Sequence, residues 1–386
     1  MYTEVIMKII RFIPAFAAML AAVLSFPLPA VAVSDKEIAA PSAVLMDALS
    51  GEVLFGKNPH EVRACASVTK VMTLDLVMEA LDSGRIKWTD QVTASEHAAS
   101  MGGSDIWLEP GETMTVDEMI KATVVASAND AAVALAEFVC GSEDEFVARM
   151  NEKAKQLGMK ETVFKNCNGL DEDGHVTSAY DVALMSRDLL RHRSILKYTG
   201  IWMDELRGGK TQLVNTNKLL KSYKGITGLK TGTTSRAGSC ITATAKRGEL
   251  ELVAVVLGSP SGKQRFSDAA KLLDYGFANY SVYTPEVPQD AFTEIPVTGG
   301  IAGSLRTQAE TDEKFLVKKG SEKDMTSRVI LPESISAPVS EGDKVGEIIF
   351  ERKGERFASC PVTAAESVRE MTFWDVFLAI LGRMVK

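Results

Sequence analysis

Ser67 and Lys70 stand three residues apart in the stretch ACASVTKVMT, residues 64–73, where an apolar helical pattern begins. Residues at positions i and i+3 lie on one face of a helix, so the Lys70 amine can reach the Ser67 hydroxyl. A serine hydroxyl becomes a good nucleophile when a base takes its proton, and a lysine acts as that base only when it is neutral. The pair therefore indicates covalent catalysis, with Ser67 as nucleophile and Lys70 as general base.

Two further motifs follow along the chain, S-x-N at residues 127–129 and K-T-G at residues 230–232. Each motif is weak by itself, since Ser194 and Lys197 also match the S-x-x-K pattern. The three motifs in this order predict that their segments meet in one catalytic site.

The residue types of these motifs suit a shared proton network. Ser127 can pass a proton between Lys70 and Lys230 and onward to a leaving amine. Burial and a second cation, here Lys230, both depress the pKa of the Lys70 amine. Asn129 can hold Lys70 and an amide group of the substrate.

The K-T-G segment can hold the substrate itself. Gly232 has no side chain, so an extended substrate can lie along the strand edge. Lys230 and Thr231 can meet a substrate carboxylate, and the backbone N–H groups of Ser67 and Thr233 can form an oxyanion hole. We expect no metal and no organic cofactor in this chemistry.

Each of these residues also has an ordinary structural explanation. Ser67 can cap a helix, Lys70 can end in solvent, and residues 127–129 can form a turn. Cys65 is predicted to be a small packing residue, because no His lies near it in the sequence. The five cysteines show no C-x-x-C spacing, which favours buried, reduced thiols over a metal site or a disulfide framework.

Local patterns predict the elements that position these residues. Two apolar runs flank Ser50-Gly51 and indicate a hairpin. Residues 85–180 are predicted to be mostly helical, and residues 224–258 to form strands with a turn at Arg247-Gly248. A central buried helix ending near Gly84 is predicted by the apolar spacing of Val68, Val71, Met72, Leu76 and Leu81.

The whole chain has 386 residues, a net charge of −8 and no basic stripe, so nucleic acid is not an expected partner. Composition changes near residue 283, where a region rich in Pro, Val and Thr begins. We expect a catalytic domain at 33–283 and a small all-β domain at 284–362, a size that can fold alone.

Residues 1–32 are predicted to be a signal peptide. A basic segment precedes a long apolar run, and Ala30-Val31-Ala32 fits the small-residue rule for cleavage. A retained membrane span is the alternative, because the run is near the lower length limit for one. Translation can start at Met1 or at Met7.

Residues 363–386 have helical periodicity and are predicted to form an amphipathic anchor helix. The apolar run from Val376 to Leu381 is too short to span a bilayer, which needs about 20 residues. A helix in the membrane interface fits better, with Trp374 at headgroup level and Arg383 and Lys386 near anionic lipid. The alternative is a terminal helix packed on its own domain.

With its three motifs and the stretches GGSDIWLEPGE and GLKTGTTSRAGSC, the chain resembles the low-molecular-mass penicillin-binding proteins, which are serine-type D-alanyl-D-alanine carboxypeptidases. The resemblance implies an α+β fold, in which helices flank an antiparallel sheet of the transpeptidase type, followed by a small C-terminal all-β domain. It also implies that an Arg beyond K-T-G, for which Arg265 is the best match, helps to hold the substrate carboxylate.

The same resemblance implies a substrate, an inhibitor class and a location. The substrate would be a peptidoglycan stem peptide ending in D-Ala–D-Ala, and β-lactams would acylate the same serine. Carboxypeptidases of this kind often end in a membrane anchor. We therefore expect a protein that is secreted across the cytoplasmic membrane and held at its outer face by the C-terminal helix.

Three other functions use similar motifs. A class A β-lactamase needs a Glu in an E-x-x-L-N loop, and Glu161 in KETVFKNCNGL has no Leu-Asn at that offset. A D,D-endopeptidase or transpeptidase would share the acyl-enzyme, and the motifs do not separate water from an amine as acceptor. A β-lactam sensor would carry several membrane spans, and the sequence shows none beyond the predicted signal peptide.

Overall fold

The first domain is built around a five-stranded antiparallel sheet, which confirms the expected fold class. The structure is a computed structural model that describes residues 33–311 and 313–384. The strands of this domain are β1 (Ser42–Asp47), β2 (Val53–Lys57), β3 (Gln91–Thr93), β4 (Thr113–Thr115), β5 (Met203–Leu206), β6 (Thr211–Val214), β7 (Ile226–Thr234), β8 (Gly238–Arg247), β9 (Leu250–Ser259) and β10 (Tyr280–Tyr283). The main sheet has the order β2-β1-β9-β8-β7, so β7, which carries K-T-G, has a free edge.

Helices cover both faces of this sheet. Successive side chains of a strand point to opposite faces, and in β1 Val44 and Met46 join one apolar core while Ala43 and Leu45 join the other. The helices are α1 (Lys70–Asp82), α2 (Glu96–Ala99), α3 (Val116–Val125), α4 (Asn129–Cys140), α5 (Glu143–Gln156), α6 (Ala179–Leu189), α7 (Leu196–Thr199), α8 (Leu219–Ser222) and α9 (Gly262–Asn279). Helix α9 packs on the second face, where Leu219 of α8 joins the same core, and α1 packs on the first.

The predicted hairpins and the central helix are confirmed. The turn between β1 and β2 contains Ser50-Gly51, where the Ser50 N–H donates to the Asp47 carboxylate at 2.7 Å and Gly51 has a φ of 79°. The α-helix α1 begins at Lys70, because Ala66–Thr69 form a tighter 3₁₀ turn. This turn places Ser67 directly before the N-terminus of the buried helix α1.

The second domain consists of short strands. Its largest sheet has the order β14-β16-β17-β12-β11-β15, and β13 instead pairs with β10 of the first domain. The predicted division between residues 283 and 284 thus falls directly after β10. The strands are β11 (Glu294–Thr298), β12 (Ser304–Gln308), β13 (Phe315–Lys318), β14 (Met325–Ile330), β15 (Ile335–Ser336), β16 (Lys344–Arg352) and β17 (Glu355–Ala364).

The predicted start of the terminal helix at residue 363 is wrong. Strand β17 continues to Ala364, and Val368 pairs with Val339 in a further bridge. Both Ala364 and Val368 are buried in the core of the second domain. Their spacing of four residues matches a helical period, although Ala364 ends strand β17 and Val368 lies in the bridge to Val339. The helix, α10, spans Phe373–Met384.

Several sequence predictions lie outside the described residues. These are the signal peptide at 1–32, with its alternative starts Met1 and Met7, and the terminal Lys386. The side chain of Arg383 is also outside the description. Among residues 33–311 and 313–384, no helix has the length and apolar character needed to cross a membrane.

Candidate active site

The structure places the Lys70 amine beside the Ser67 hydroxyl, as the spacing predicts. Lys70 Nζ lies 3.2 Å from Ser67 Oγ, 2.5 Å from Asn129 Oδ1 and 2.6 Å from the backbone oxygen of Asn168. Lys70 is completely buried, whereas Ser67 is partly exposed. The hydroxyl is therefore accessible to a substrate, and the amine beneath it is shielded from water.

Burial sets the protonation state of Lys70. Loss of hydration lowers the pKa of the Lys70 ammonium to about 7, against smaller opposing effects of Cys167 and Asp130. A lysine with this pKa is about half neutral at pH 7 and can accept a proton. From the sequence, the charge of Lys230 was also expected to lower the pKa of Lys70. Burial instead dominates at both lysines, and the Lys70 and Arg265 charges further lower the pKa of Lys230.

Ser127 and Lys230 form the second half of the proton network. Lys230 Nζ donates to Ser127 Oγ at 2.8 Å and to the backbone oxygen of Thr231 at 3.0 Å. Ser127 lies between α3 and α4 and has a φ of 64°, a region that non-glycine residues rarely occupy. Such backbone strain persists where the surrounding structure holds it, and here it directs the hydroxyl at Lys230.

Asn129 is the first residue of helix α4 and accepts a hydrogen bond from Lys70. Its Oδ1 accepts from Lys70, and its Nδ2 donates to the backbone oxygen of Gly102 at 2.6 Å. An amide Nδ2 carries two hydrogens, so the second one remains for a substrate carbonyl. The structure thus confirms that Asn129 holds Lys70, and its contact with a substrate amide stays a prediction.

The structure shows a different reason for a glycine at position 232 from the one that the sequence predicted. A Cβ at this position would lie 2.7 Å from the backbone oxygen of Cys65 and 2.8 Å from the backbone nitrogen of Ser67. The glycine therefore lets the segment that carries the nucleophile pack directly on β7. A side chain here would displace Ser67 before it met any substrate.

Arg265, in the first turn of α9, reaches the K-T-G strand, as the resemblance implied. Its Nη1 donates to the backbone oxygen of Gly232 and to Thr233 Oγ1, both at 2.8 Å. The hydroxyl of Thr231 lies 2.6 Å from that of Thr216. The predicted carboxylate-binding residues are thus in one place, and Thr216 is a neighbour that sequence reasoning missed.

The loop that contains residues 168–169 contacts the site, and sequence reasoning missed this contact. The backbone oxygen of Asn168 accepts from Lys70, and Gly169, with a φ of 87°, packs against the nucleophile segment. A Cβ on Gly169 would lie 2.1 Å from the backbone oxygen of Ala66, so only glycine fits. The Asn-Gly pair at 168–169 was a turn signal in the sequence, but the partner of the turn was not visible there.

The remaining candidates lie elsewhere or play structural parts. Lys197, of the second S-x-x-K match, forms an ion pair with Asp117 at 2.8 Å. Glu161 lies 3.3 Å from His60 and accepts a hydrogen bond from Ser178 at 3.1 Å. Burial raises the pKa of the Cys65 thiol to about 12, which keeps it protonated as a packing residue.

Comparison with known protein families agrees with the fold and the motifs. A family model described as D-alanyl-D-alanine carboxypeptidase matches residues 29–261, and one described as the C-terminal domain of penicillin-binding protein 5 matches residues 284–370. D-alanyl-D-alanine carboxypeptidase DacF of Bacillus subtilis is 44% identical over 351 residues, covering 90% of each chain. DacC of Escherichia coli is 34% identical over 364 residues, covering 90% of this chain and 91% of DacC.

Solved structures show the same likeness. Penicillin binding protein 5 from Haemophilus influenzae has 32% identity and a TM-score of 0.73, covering 88% of this chain and 100% of that chain. Penicillin-binding protein D2 from Listeria monocytogenes, solved in its ampicillin-bound form, has 33% identity and a TM-score of 0.56, covering 63% and 100%. The resemblance drawn from the motifs is thereby confirmed.

Proposed function

This chain belongs to the D-alanyl-D-alanine carboxypeptidase family, and on that premise we propose that it removes the terminal D-alanine from peptidoglycan stem peptides through an acyl-enzyme on Ser67. The observation that carries the proposal is the 3.2 Å contact of Ser67 Oγ with Lys70, whose pKa burial lowers to about 7, so that about half of it is neutral at pH 7. β-Lactams acylate the same serine.

Acylation begins when neutral Lys70 takes the proton of Ser67 and Ser67 Oγ attacks the carbonyl carbon of the penultimate D-Ala. The new C–O bond turns the carbonyl oxygen into an oxyanion. The proposed donors to it are the backbone N–H groups of Ser67 and Thr233, whose segments can approach because Gly232 lacks a side chain. Removing one donor of this kind costs about 10²–10³ in kcat in a serine protease.

Collapse of the oxyanion breaks the C–N bond and releases D-alanine. The leaving amine takes a proton from Ser127, which Lys230 orients, and Ser127 is resupplied with the proton that Lys70 took from Ser67, so that Lys70 is neutral again. The 2.8 Å contact between Lys230 and Ser127 supports this route. In deacylation, a water gives one proton to Lys70 and its hydroxyl to the acyl carbon, and Lys70 returns a proton to Ser67 as the ester bond breaks.

Positive charge is concentrated where the substrate carboxylate would lie. Lys230 and Thr231 are the proposed direct partners of that carboxylate, since both belong to the edge strand β7. Arg265 contributes its charge from behind the strand through its contacts with Gly232 and Thr233. A cationic site of this kind favours a substrate with a free C-terminus.

The direct test is a steady-state assay of D-alanine release from the peptide diacetyl-L-Lys-D-Ala-D-Ala by the protein without residues 1–32. We expect release of one D-alanine per peptide and its inhibition by stoichiometric benzylpenicillin. The matched control is the same peptide ending in L-Ala, which should not be cleaved. Penicillin labelling without D-alanine release would show a sensor in place of a carboxypeptidase.

The proposal includes a location at the outer face of the cytoplasmic membrane, with α10 in the interface. Its support is the exposure of large apolar side chains along this helix, including Trp374 at 66% and Leu378 at 64%. Monomeric soluble proteins rarely expose continuous apolar surface of this kind. Asp375 pairs with Arg369 at the start of α10, and the next six residues, 376–381, are all apolar. Export by the predicted signal peptide rests on the sequence alone.

Deleting residues 373–386 is expected to release a soluble and fully active protein. The deletion spares Ala364 and Val368, which a cut at residue 363 would remove from the second-domain core. Co-sedimentation with anionic phospholipid vesicles should fall at least about tenfold, because burial of apolar side chains drives interfacial binding. D-Alanine release should stay within about twofold of the parent, since the site lies in the first domain.

A length-matched control is the double variant Trp374→Glu and Leu378→Glu, which keeps the helix but makes its apolar surface polar. It should lose vesicle binding as the deletion does. Vesicle binding that survives both changes would contradict an anchor in α10.

A further inference from the structure

A cavity of about 260 Å³ lies beyond the end of strand β7, next to the active site. Arg63, Ala64, Glu172, His175, Arg236 and Ala237 are among its lining residues. Ala64 precedes the nucleophile segment, and Ala237 follows the K-T-G strand by a short turn. His175 holds this region to the site, since its Nε2 lies 2.8 Å from Thr69 Oγ1 directly before Lys70.

The proposed function sets the path of the substrate past this cavity. The C-terminal carboxylate lies at Lys230 and Thr231, and the scissile carbonyl lies at Thr233. The substrate residues before the scissile bond must therefore run along the edge of β7 towards Thr234 and then Arg236. An extended chain advances about 3.3 Å per residue, so the residue preceding the two D-alanines lies level with the end of β7.

Two contacts join the end of β7 to the facing loop at 170–174. Thr234 Oγ1 donates to Asp171 at 2.7 Å, and Arg236 donates to Asp173 at 2.8 Å. The ion pair is highly exposed, at 54% for Arg236 and 95% for Asp173. An ion pair this exposed contributes little to stability, so a charged ligand can replace it at little cost.

The cavity carries both signs of charge within one small volume. Among the lining residues, Arg63 and Arg236 can bind a carboxylate, and Glu172 can bind an ammonium group. Arg63 also pairs with Glu61, and Glu172 also accepts a hydrogen bond from Asn166 at 3.1 Å. An amino-acid head group bears one of each, whereas the side chain of lysine ends in an ammonium group alone. The mixed lining therefore matches a zwitterion better than it matches a single charge.

We propose that this cavity binds the second amino-acid head group of a diamino diacid, such as meso-diaminopimelate, at the stem-peptide position before D-Ala–D-Ala. The inference rests on the proposed function, because that function defines the direction of the substrate along β7. The side chain of such a residue spans about 6 Å, which covers the two positions from Thr234 to Arg236. Arg236 is a specificity-determining residue in this assignment.

The test compares two acyl-donor peptides that end in D-Ala–D-Ala and differ only in meso-diaminopimelate or L-Lys before it. For the unaltered protein, kcat/KM should be about tenfold higher for the diaminopimelate peptide, mainly through a lower KM, as expected for charge-assisted hydrogen bonds. Arg236→Ala should reduce this ratio to about one, and Glu172→Gln should reduce it independently. Arg191→Ala is the matched control, because Arg191 is 79% exposed and is not a lining residue of the cavity.

Equal kcat/KM for the two peptides, or a ratio that persists in Arg236→Ala, would overturn the subsite while leaving the proposed function in place. Failure to release D-alanine from either peptide would instead contradict the proposed function, and the subsite with it. Labelling by fluorescent penicillin at the parent rate serves as the check that the variants are folded.

Discussion

Replacing Ser67 with alanine is expected to abolish both D-alanine release and covalent labelling by a fluorescent penicillin, a loss of about 10⁴-fold or more. Without Oγ no ester can form, and neither water nor Lys70 supplies an alternative nucleophile at the scissile carbonyl. Ser67 is partly exposed, so its loss should leave the melting temperature within a few degrees of the parent. Gel fluorescence measures the labelling, and circular dichroism measures the fold.

Ser194→Ala is the matched control for this experiment. Ser194 also begins an S-x-x-K match, but it is exposed on the 3₁₀ turn Arg193–Ile195. This variant should be labelled at the parent rate. Labelling of Ser67→Ala at the parent level would show that another residue is the nucleophile.

Replacing Lys70 with alanine is expected to slow acylation by about 10²–10⁴-fold, the usual contribution of a general base. The hydroxyl of Ser67 would remain in place, but its nearest proton acceptor at 3.2 Å would be gone. The second-order rate constant of penicillin labelling measures this step directly, without the later hydrolysis. Lys197→Ala, from the second S-x-x-K match, is the control and should acylate normally.

The pH dependence of acylation checks the same assignment in the unaltered protein. The pKa of Lys70 is lowered to about 7, so its neutral, basic form increases as the pH rises through 7. The acylation rate should therefore rise over this range and level off above it, until a second group loses its proton. The rising limb should be absent in Lys70→Ala. A flat profile in the unaltered protein would exclude an amine base with this pKa.

Much of the local structure followed from short-range patterns in the sequence. The hairpin around Ser50-Gly51, the buried helix α1 and the strands between residues 224 and 258 were predictable, because their hydrophobic periods and turn residues act over few positions. The same patterns misplaced the start of α10. Ala364 and Val368 have helical spacing, yet they face a core that strands of the second domain assemble.

The sequence by itself determined the reacting groups of this protein. The i, i+3 spacing of Ser67 and Lys70 brings base and nucleophile together through one turn of helix, whatever the rest of the fold does. The order of the S-x-N and K-T-G motifs further identified Ser127, Asn129 and Lys230, and the structure brings all three to the same place.

Only the tertiary structure decided what surrounds these groups. Three features depend on segments about a hundred residues apart: the burial that lowers the pKa of Lys70, the hydrogen bond that Lys70 donates to the backbone oxygen of Asn168, and the fit of Gly169 against Ala66. A backbone carbonyl has no signature in the sequence, because every residue carries one. A glycine in a sequence can be required for several different reasons. Only the structure shows that Gly232 makes room for the segment that carries the nucleophile.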